Sequence, residues 1–352
     1  MMNTKKIKFA LVAILILSVS FAGTIRSQGT AGATQLLIPT GAQSIALSTA
    51  NGATVSGVES IFINPAGAAN MGSGFQGSAS NMSYLADIAV TNIGFLSNIG
   101  SLGTVGLNIK SLDFGDIAVT DADNTEGTGE FFSPAFMTLT ANFSKRMTDR
   151  VNFGVNFKII SEKIMNTGAS GFGVDFGVQY GFENLPLSIG VALKNLGGKM
   201  EYTGSDLEQQ LTPEGSESGT IKERFRIKAQ EFDLPATLDL SANYSIGSTI
   251  DLMANYRNNS FAVNALNVAA RYKFGDLAWV GAGTSMDMVA DDQPDDVSDD
   301  AWDEWTSTVW GSTFGAGVSV PLGTMTLNID YSIRTVSNYF DNNNVLQLSV
   351  EF

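Results

Sequence analysis

Strict alternation of apolar and polar residues, repeated along most of the chain, is the feature that most constrains the fold. In residues 151–159 apolar side chains occupy every odd position, and polar residues or glycine occupy every even one. Residues 174–180 and 238–244 alternate in the same way. Because successive side chains of a β-strand point to opposite faces, each segment would have one apolar and one polar face. The pattern therefore predicts an all-β fold.

Fourteen segments of this kind follow residue 72, and most are ten to fourteen residues long. They are Ser73–Tyr84, Asp87–Ser97, Gly103–Leu112, Pro134–Lys145, Arg150–Ser161, Gly168–Gly181, Leu187–Asn195, Leu234–Ile246, Thr249–Asn258, Ala265–Phe274, Leu277–Met286, Thr308–Pro321, Met325–Val336 and Asn344–Phe352. A tilted strand of about nine to eleven residues crosses a bilayer, and single-chain bacterial barrels have an even number of strands. We therefore predict a 14-stranded antiparallel transmembrane β-barrel over residues 73–352, located in the outer membrane.

The lengths of the connections support a barrel over a soluble β-sandwich, which would show the same alternation. Every second connection is short, with the sequences NIGSL, RMTD, FENLP, GS, GD and LGT, whereas long ones lie at 113–133, 196–233 and 287–307. The first connection, Leu85-Ala86, is also short and breaks the pattern. Outer-membrane barrels have short periplasmic turns and longer outer loops. Because the short connections alternate with the others and the number of strands is even, we predict that both termini lie on the periplasmic side.

The first residues indicate export. Lys5, Lys6 and Lys8 precede an apolar run, Phe9–Ala22, which is too short for a comfortable membrane span and typical of a secretory signal. We predict a signal peptide over residues 1–27, with cleavage after residue 22 or 27; an uncleaved anchor is the alternative.

Residues 28–72 are the one part of the mature chain without strand periodicity. Apolar or small residues recur at helical spacing at positions 42, 45, 46 and 49 and again at 58, 61 and 62, before Asn64-Pro65. Helices this short are marginal in water and need a surface to pack against. We therefore predict that residues 28–72 form an N-terminal helical plug inside the barrel.

Composition excludes several functions. The chain has no His and no Cys, which removes most general-base and nucleophile chemistry expected of outer-membrane enzymes, so we predict a protein that is not an enzyme. The formal net charge of −15 argues against nucleic acid as a partner. The sequence GSGFQG at 72–77 opens a strand and not a helix, so it is not a nucleotide-binding loop.

Two loops carry concentrated charge. Residues 287–304 hold nine acidic and no basic residues; the candidate metal ligands there are Asp291, Asp292, Asp295 and Asp296. Such a cluster suits Ca²⁺, the one cofactor we consider, which could also bridge to lipopolysaccharide phosphates; a solvated acidic loop is the other interpretation. Lys222, Arg224, Arg226 and Lys228 alternate with Glu223, Phe225 and Ile227. An extended ribbon would present these four cations on one face to an acidic partner, or would pair them with the acidic loop.

Two motifs in the predicted plug resemble those of a known family. The motif residues are Ile38, Pro39, Gly41, Ala42, Ser44 and Ile45 in the first motif, and Glu59, Phe62, Asn64, Pro65 and Gly67 in the second. In them the chain resembles the PorV/PorQ family of outer-membrane proteins, relatives of the FadL-type barrels. It departs from that family at Gln43, where members often have Arg, and at 47–49, where they often have Met-Gly-Gly.

The resemblance implies a 14-stranded barrel with an N-terminal plug that contacts outer-membrane lipid and lipopolysaccharide. Some family members are associated with type IX secretion, in which they bind and shuttle exported proteins through their outer loops. The resemblance thus implies secreted cargo proteins or secretion-machinery subunits as partners. The alternative is a FadL-like transporter of hydrophobic small molecules or fatty acids, which would require an apolar pocket under the loops and an opening in the wall.

Overall fold

A computed structural model of the chain describes residues 31–72, 74–211, 223–288, 298, 309–336 and 340–352. Fourteen long strands form one closed antiparallel sheet. They are β1 Phe75–Ser83, β2 Ala89–Asn98, β3 Thr104–Asp113, β4 Ala135–Arg146, β5 Val151–Ile164, β6 Thr167–Gly181, β7 Leu187–Gly197, β8 Thr237–Ile246, β9 Ile250–Asn259, β10 Ala265–Phe274, β11 Ala278–Asp287, β12 Trp310–Leu322, β13 Met325–Val336 and β14 Asn343–Glu351. Each strand pairs with its neighbours in sequence, and β1 pairs with β14 from Gln76↔Glu351 to Ser83↔Asn344. The predicted 14-stranded barrel is confirmed.

The two faces of the sheet have the polarity of a membrane barrel. Asn156 and Asp175 point into the lumen and are fully buried, whereas their neighbours Phe157 and Phe176 are 49 % and 42 % exposed. An exterior of exposed large apolar side chains around a polar, buried interior is stable only when the exterior is covered by lipid. Aromatic side chains meet at the short-turn end, where the ring of Phe75 lies 6.0 Å from that of Phe352.

Residues 31–72 run through the lumen as the plug. It contains two short α-helices, α1 Ala42–Ala46 and α2 Ser60–Ile63, and two 3₁₀ helices, Thr34–Leu37 and Pro65–Asn70. As the sequence predicts, α2 ends where Asn64 is extended ahead of Pro65. Helix α1 packs on β12 and β13, and the second 3₁₀ helix packs on β4, β5 and β6. None of the helices in the described part of the chain is long and apolar enough to span a bilayer.

Short secondary structure outside the barrel lies in the loops and turns. Two hairpins are formed by Ile117–Ala118 with Phe131–Phe132 and by Glu208–Leu211 with Glu223–Arg226, and Thr203–Gly204 adds two residues to the edge of β6. Single 3₁₀ turns occur at Gly100–Leu102 and Ser205–Leu207. Among the described loop segments, Thr203–Gly204 extends the barrel sheet, whereas the two hairpins form separate two-stranded sheets.

The β6–β7 pair contains a bulge near the long-loop end. Asp175 on β6 faces both Lys194 and Asn195 on β7, because the register shifts between Val174 and Phe176. Asn195 adopts a left-handed conformation with φ of 60°, and its backbone N–H donates to the Asp175 carboxylate at 2.8 Å. Bulges of this kind re-aim side chains, and here the bulge turns Asn195 towards the lumen.

The two ends of the described chain lie at opposite ends of the barrel. Phe352 lies at the short-turn end, where its N–H donates to the carbonyl of Phe75. Ala31 pairs with Asp233 just before β8, at the end that carries the long loops. The predicted N-terminus lies outside the described residues, so its position stays a prediction, but Ala31 lies at the long-loop end and not at the short-turn end. The plug enters the lumen from the long-loop end and leaves it next to β1.

The position of Ala31 can be tested by cysteine labelling, because the chain has no other cysteine. With Ala31→Cys, we expect a membrane-impermeant maleimide to label intact cells about as well as it labels Asp123→Cys in the first long loop. Ser101→Cys, in a short turn, should react only after the outer membrane is permeabilised. Labelling of Ala31→Cys only after permeabilisation would contradict the structure.

Candidate functional site

A cavity of about 560 Å³ lies at the long-loop end of the lumen, between the plug and the barrel wall. Its floor is formed by plug residues from the first 3₁₀ helix to the end of α1, including Ile38 and Ile45. Its walls come from the outer ends of strands and their loops: Tyr84, Ile88, Leu112, Phe114, Phe136, Phe261, Val263, Ala265 and Trp310 are the apolar and aromatic members. This is the apolar pocket under the loops that a transporter of hydrophobic molecules requires.

Arg334 is the main cation of the outer cavity. Its guanidinium lies 3.6 Å from the centre of the Trp310 ring and donates to Asn343 Oδ1 at 2.8 and 3.0 Å. Among the described residues, no carboxylate comes within 4.0 Å of it. Arg257, which also lines the cavity, is instead held by Asp239 at 2.8 Å. The cavity thus combines a mainly apolar lining with two arginines and the acidic residue Asp287, and the guanidinium of Arg334 is stacked on an aromatic ring.

The floor of the cavity is tied to the wall by buried polar contacts. Lys110 Nζ donates to the carbonyls of Gln35 and Ile38 at 2.6 and 3.1 Å. Gln35 Nε2 donates to Glu162 at 2.7 Å, and Tyr202 donates to the same carboxylate. Because these groups are buried, removing either partner would leave an unsatisfied polar atom. The first turn of the plug is therefore held in place by Lys110 of β3 and by Glu162 of β5.

The two plug motifs meet at Glu59. Its carboxylate accepts the backbone N–H groups of Gln43 and Ser44 at 3.2 and 3.0 Å, and also the Ser44 hydroxyl. It thus caps the start of α1, where the free N–H groups of a helix attract negative charge. Burial raises the pKa of the Glu59 carboxyl to about 7, against the lowering effect of its donors. Gly41 is required beside it, because its φ is 95° and a Cβ would lie 2.5 Å from the carboxyl carbon.

The second motif fixes the inner end of the plug against the wall. Asn64 caps the following 3₁₀ helix by accepting the N–H of Ala66, and its amide donates to the carbonyls of Gly52 and Val178. Pro65 packs directly on the barrel, since a Cβ on Gly154 of β5 would lie 2.3 Å from its carbonyl carbon. The lumen glycines of β5 and β6 therefore make room for the plug.

The departures from the PorV/PorQ pattern also have defined contacts. Gln43 Oε1 accepts a hydrogen bond from Arg271 Nη1 at 3.0 Å. The guanidinium at this contact therefore belongs to the barrel wall and not to residue 43 of the plug. Ser48 shares a hydrogen bond with Thr313 at 2.8 Å, and Thr49 accepts one from Arg257 at 3.4 Å. Gln43, Ser48 and Thr49 thus anchor the plug to the barrel wall.

The predicted loop sites lie apart from the cavity or outside the described residues. Arg224 and Arg226 are in the hairpin with Glu208–Leu211, where Arg224 lies 3.7 Å from Glu208; Lys228 lies 3.8 Å from Glu231. Arg224 and Lys228 thus pair with acidic residues of the same loop. Lys222, Asp291, Asp292, Asp295 and Asp296, and the signal peptide, fall outside the described residues. Within the part that is described, no group of three His, Cys, Asp or Glu side chains is placed to hold a metal.

Sequence reasoning did not find Arg334, Trp310 and Tyr84. They come from β13, the start of β12 and the loop after β1, and the rings of Tyr84 and Trp310 lie 5.8 Å apart. The only signal in the sequence is an arginine on the lumen face of a strand that ends at a loop.

Comparisons with known proteins identify the architecture. No protein-family model and no curated protein matches the sequence. Among solved structures, the CymD monoaromatic hydrocarbon channel is 11 % identical with a TM-score of 0.56 and covers 90 % of this chain and 98 % of its own. The P. putida toluene transporter TodX is 13 % identical with a TM-score of 0.55, over 87 % and 98 %. A Pseudomonas aeruginosa FadL homologue is 12 % identical with a TM-score of 0.51, over 90 % and 98 %.

At these identities the comparisons bear on the fold, which is that of the FadL-like outer-membrane barrels. The predicted FadL-like fold and the predicted outer-membrane location are confirmed.

Proposed function

We propose that this protein is not an enzyme and that it carries small hydrophobic or amphipathic molecules across the outer membrane. The observation that carries the proposal is the outer cavity. It opens at the long-loop end, is lined mainly by apolar and aromatic side chains, and has a volume within the range of small-ligand pockets. The structural neighbours that share this fold are named as a hydrocarbon channel and a toluene transporter, which supports this function over the shuttling of exported proteins.

The cavity further favours ligands with an anionic end. Arg334 stacks on Trp310, donates to Asn343 and hydrogen-bonds with the Tyr84 hydroxyl, but no described carboxylate lies within 4.0 Å of it. A guanidinium recognises a carboxylate through paired hydrogen bonds, and such charge-assisted bonds are stronger than neutral ones. A fatty acid would place its chain against the apolar wall and its carboxylate on Arg334. A neutral hydrocarbon would use the wall alone.

Arg334→Met tests this preference while keeping most of the side-chain volume on Trp310. We expect the affinity for laurate to fall by about tenfold to a hundredfold, as the loss of a hydrogen bond to a charged group predicts, and the affinity for dodecanol to stay within twofold, roughly. Binding can be measured with purified protein in detergent by displacement of a fluorescent fatty acid. Arg334→Lys, which keeps the charge, should retain most of the laurate affinity. Equal losses for laurate and dodecanol would contradict carboxylate recognition.

Binding of exported proteins is the second candidate function. The hairpin that carries Arg224 and Arg226 stands outside the barrel, and the side chains of Arg224 and Lys228 are 71 % and 75 % exposed. Phe225 and Ile227 are exposed beside them. A ribbon of this kind could bind a partner domain by complementary charge and apolar contact.

Isolation of the protein from mild-detergent extracts distinguishes the two functions. For the transporter, we expect mass spectrometry to recover bound fatty acid or hydrocarbon, and that recovery should persist when loop residues 203–231 are deleted. Recovery of large exported proteins that is lost on this deletion, without a bound small molecule, would instead support the shuttle.

A further inference from the structure

A second, much smaller cavity lies deeper in the lumen, below the outer cavity. Its volume is about 20 Å³, and it is lined by Lys110, Lys158, Asn108, Thr138, Thr140 and Phe62, together with two aliphatic side chains. One water-sized occupant needs about 10–15 Å³. The lysine cavity, as we call it, therefore has room for one small occupant.

The charges around the lysine cavity do not balance. Lys158 is paired with Asp175 at 2.7 Å, and Lys194 with Asp239 at 2.8 Å. Lys110 is only 4 % exposed, and no carboxylate among the described residues comes within salt-bridge distance of it. Its neighbours are two carbonyl oxygens and the face of Phe62, whose centre is 4.7 Å from Nζ. Carbonyl dipoles and a ring face stabilise an ammonium group without neutralising it, and an unneutralised buried charge is costly.

A neutral donor in the same cavity also lacks a partner. Thr138 is 3 % exposed, and its Oγ1 has no hydrogen-bond partner among the described residues. A hydroxyl can donate to an anion as well as accept from a cation. Lys110 and Thr138 thus line the same small space, one with an unneutralised positive charge and the other with an unused hydroxyl.

We propose that the lysine cavity binds a monatomic anion, chloride under ordinary conditions, between Lys110, Lys158 and the Thr138 hydroxyl. The cavity has the volume for one monatomic ion and is too small for a polyatomic carboxylate or a phosphate ester. The bound anion neutralises Lys110, which holds the carbonyls of Gln35 and Ile38. Chloride therefore stabilises the plug in its seated position. The site is separate from the outer cavity and does not depend on what that cavity carries.

Halide dependence of stability tests the proposal on the full mature protein in detergent. At constant ionic strength, replacing gluconate with about 200 mM chloride is expected to raise the thermal midpoint by about 5 °C, because a ligand that binds only the folded state stabilises it by mass action. Gluconate is too large for the cavity and serves as the reference anion. Bromide should act like chloride, and crystals grown in bromide should show an anomalous peak in the lysine cavity.

Two variants separate the site from a general salt effect. Lys110→Met is expected to abolish the difference between chloride and gluconate. Thr138→Val leaves every charge in place and should raise the half-saturating chloride concentration by about fivefold, as the loss of one hydrogen bond predicts. This variant therefore tests the proposal even if Lys110→Met does not fold. Lys163→Met, at an exposed lysine on β5, should respond to halide as the wild type does.

Equal midpoints of the wild type in chloride and gluconate would overturn the proposal. So would an unchanged halide response in Thr138→Val, or a bromide anomalous map with no peak in the cavity.

Discussion

Deletion of residues 35–69 is expected to convert a barrel that passes little current into an open pore. The deleted segment contains α1, α2 and their links, and Ala42, Leu47, Ala50 and Ala66 in it have no exposed surface. A barrel of this size has more interior than its own side chains fill. We expect conductance in planar bilayers to rise by roughly tenfold or more, because the emptied lumen would fill with water.

The control for this deletion is the removal of loop residues 203–231, which are similar in number and whose described residues lie outside the lumen. That variant should conduct no more than the wild type. Currents of porin size from the wild type, or an unchanged conductance after removal of the plug, would show that residues 35–69 do not block the barrel.

The strands were predictable because lipid imposes a strict rule on every one of them. Each strand must present apolar side chains to the bilayer at every second position, so the alternation survives in all fourteen. The ends of the strands were harder to predict where a turn position holds no residue that marks a turn, such as glycine. The sequence predicts a six-residue connection after Ser161, yet β5 and β6 continue to a two-residue turn at Met165 and Asn166. Met165 adopts a φ of 52° there, a conformation that glycine or asparagine normally marks.

The path of the plug could not be predicted from the same rule. The number of strands and the lengths of their connections say which end each strand faces, and they place Phe352 correctly. They carry no information about the direction in which a lumen segment runs. Ala31 is placed at the long-loop end by its pairing with Asp233 and by the anchoring of Gln35 to Glu162. These contacts join residues more than a hundred positions apart.

The candidate site was partly visible in the sequence. Gly41 and Glu59 were identified in the sequence as members of two motifs. The structure gives the physical reason: the Glu59 carboxylate occupies the space that a Cβ on residue 41 would fill. The outer cavity was expected only as a requirement of the transport function. Arg334 lies on the polar face of β13, as alternation predicts, but its stacking on Trp310 depends on the register between β12 and β13. Alternation within a strand does not specify register between strands.

Gly177→Leu is expected to displace the inner half of the plug while the ring of fourteen paired strands stays intact. Gly177 lies on the lumen face of β6, where a Cβ would come within 2.2 Å of Asn64 Oδ1 and 2.7 Å of Pro65 Cδ. Both neighbours are fixed, since Asn64 donates to the carbonyls of Gly52 and Val178. Overpacking a tight contact costs about 1–3 kcal/mol, and a leucine also breaks the hydrogen bonds that the displaced amide made.

We expect Gly177→Leu to expose the plug near Asn64 to protease added from the short-turn side, and to raise conductance towards that of the plug deletion. Gly181→Leu is the matched control, because Gly181 lies on the same strand and a Cβ there would meet no atom within 4 Å. It should keep the wild-type protease resistance and conductance. If both leucine variants raise conductance equally, then the cause is a general disturbance of strand β6 and not the contact with the plug. If only Gly177→Leu opens the lumen, the contact between the glycine face of β6 and the Asn64-Pro65 corner is what seats the plug.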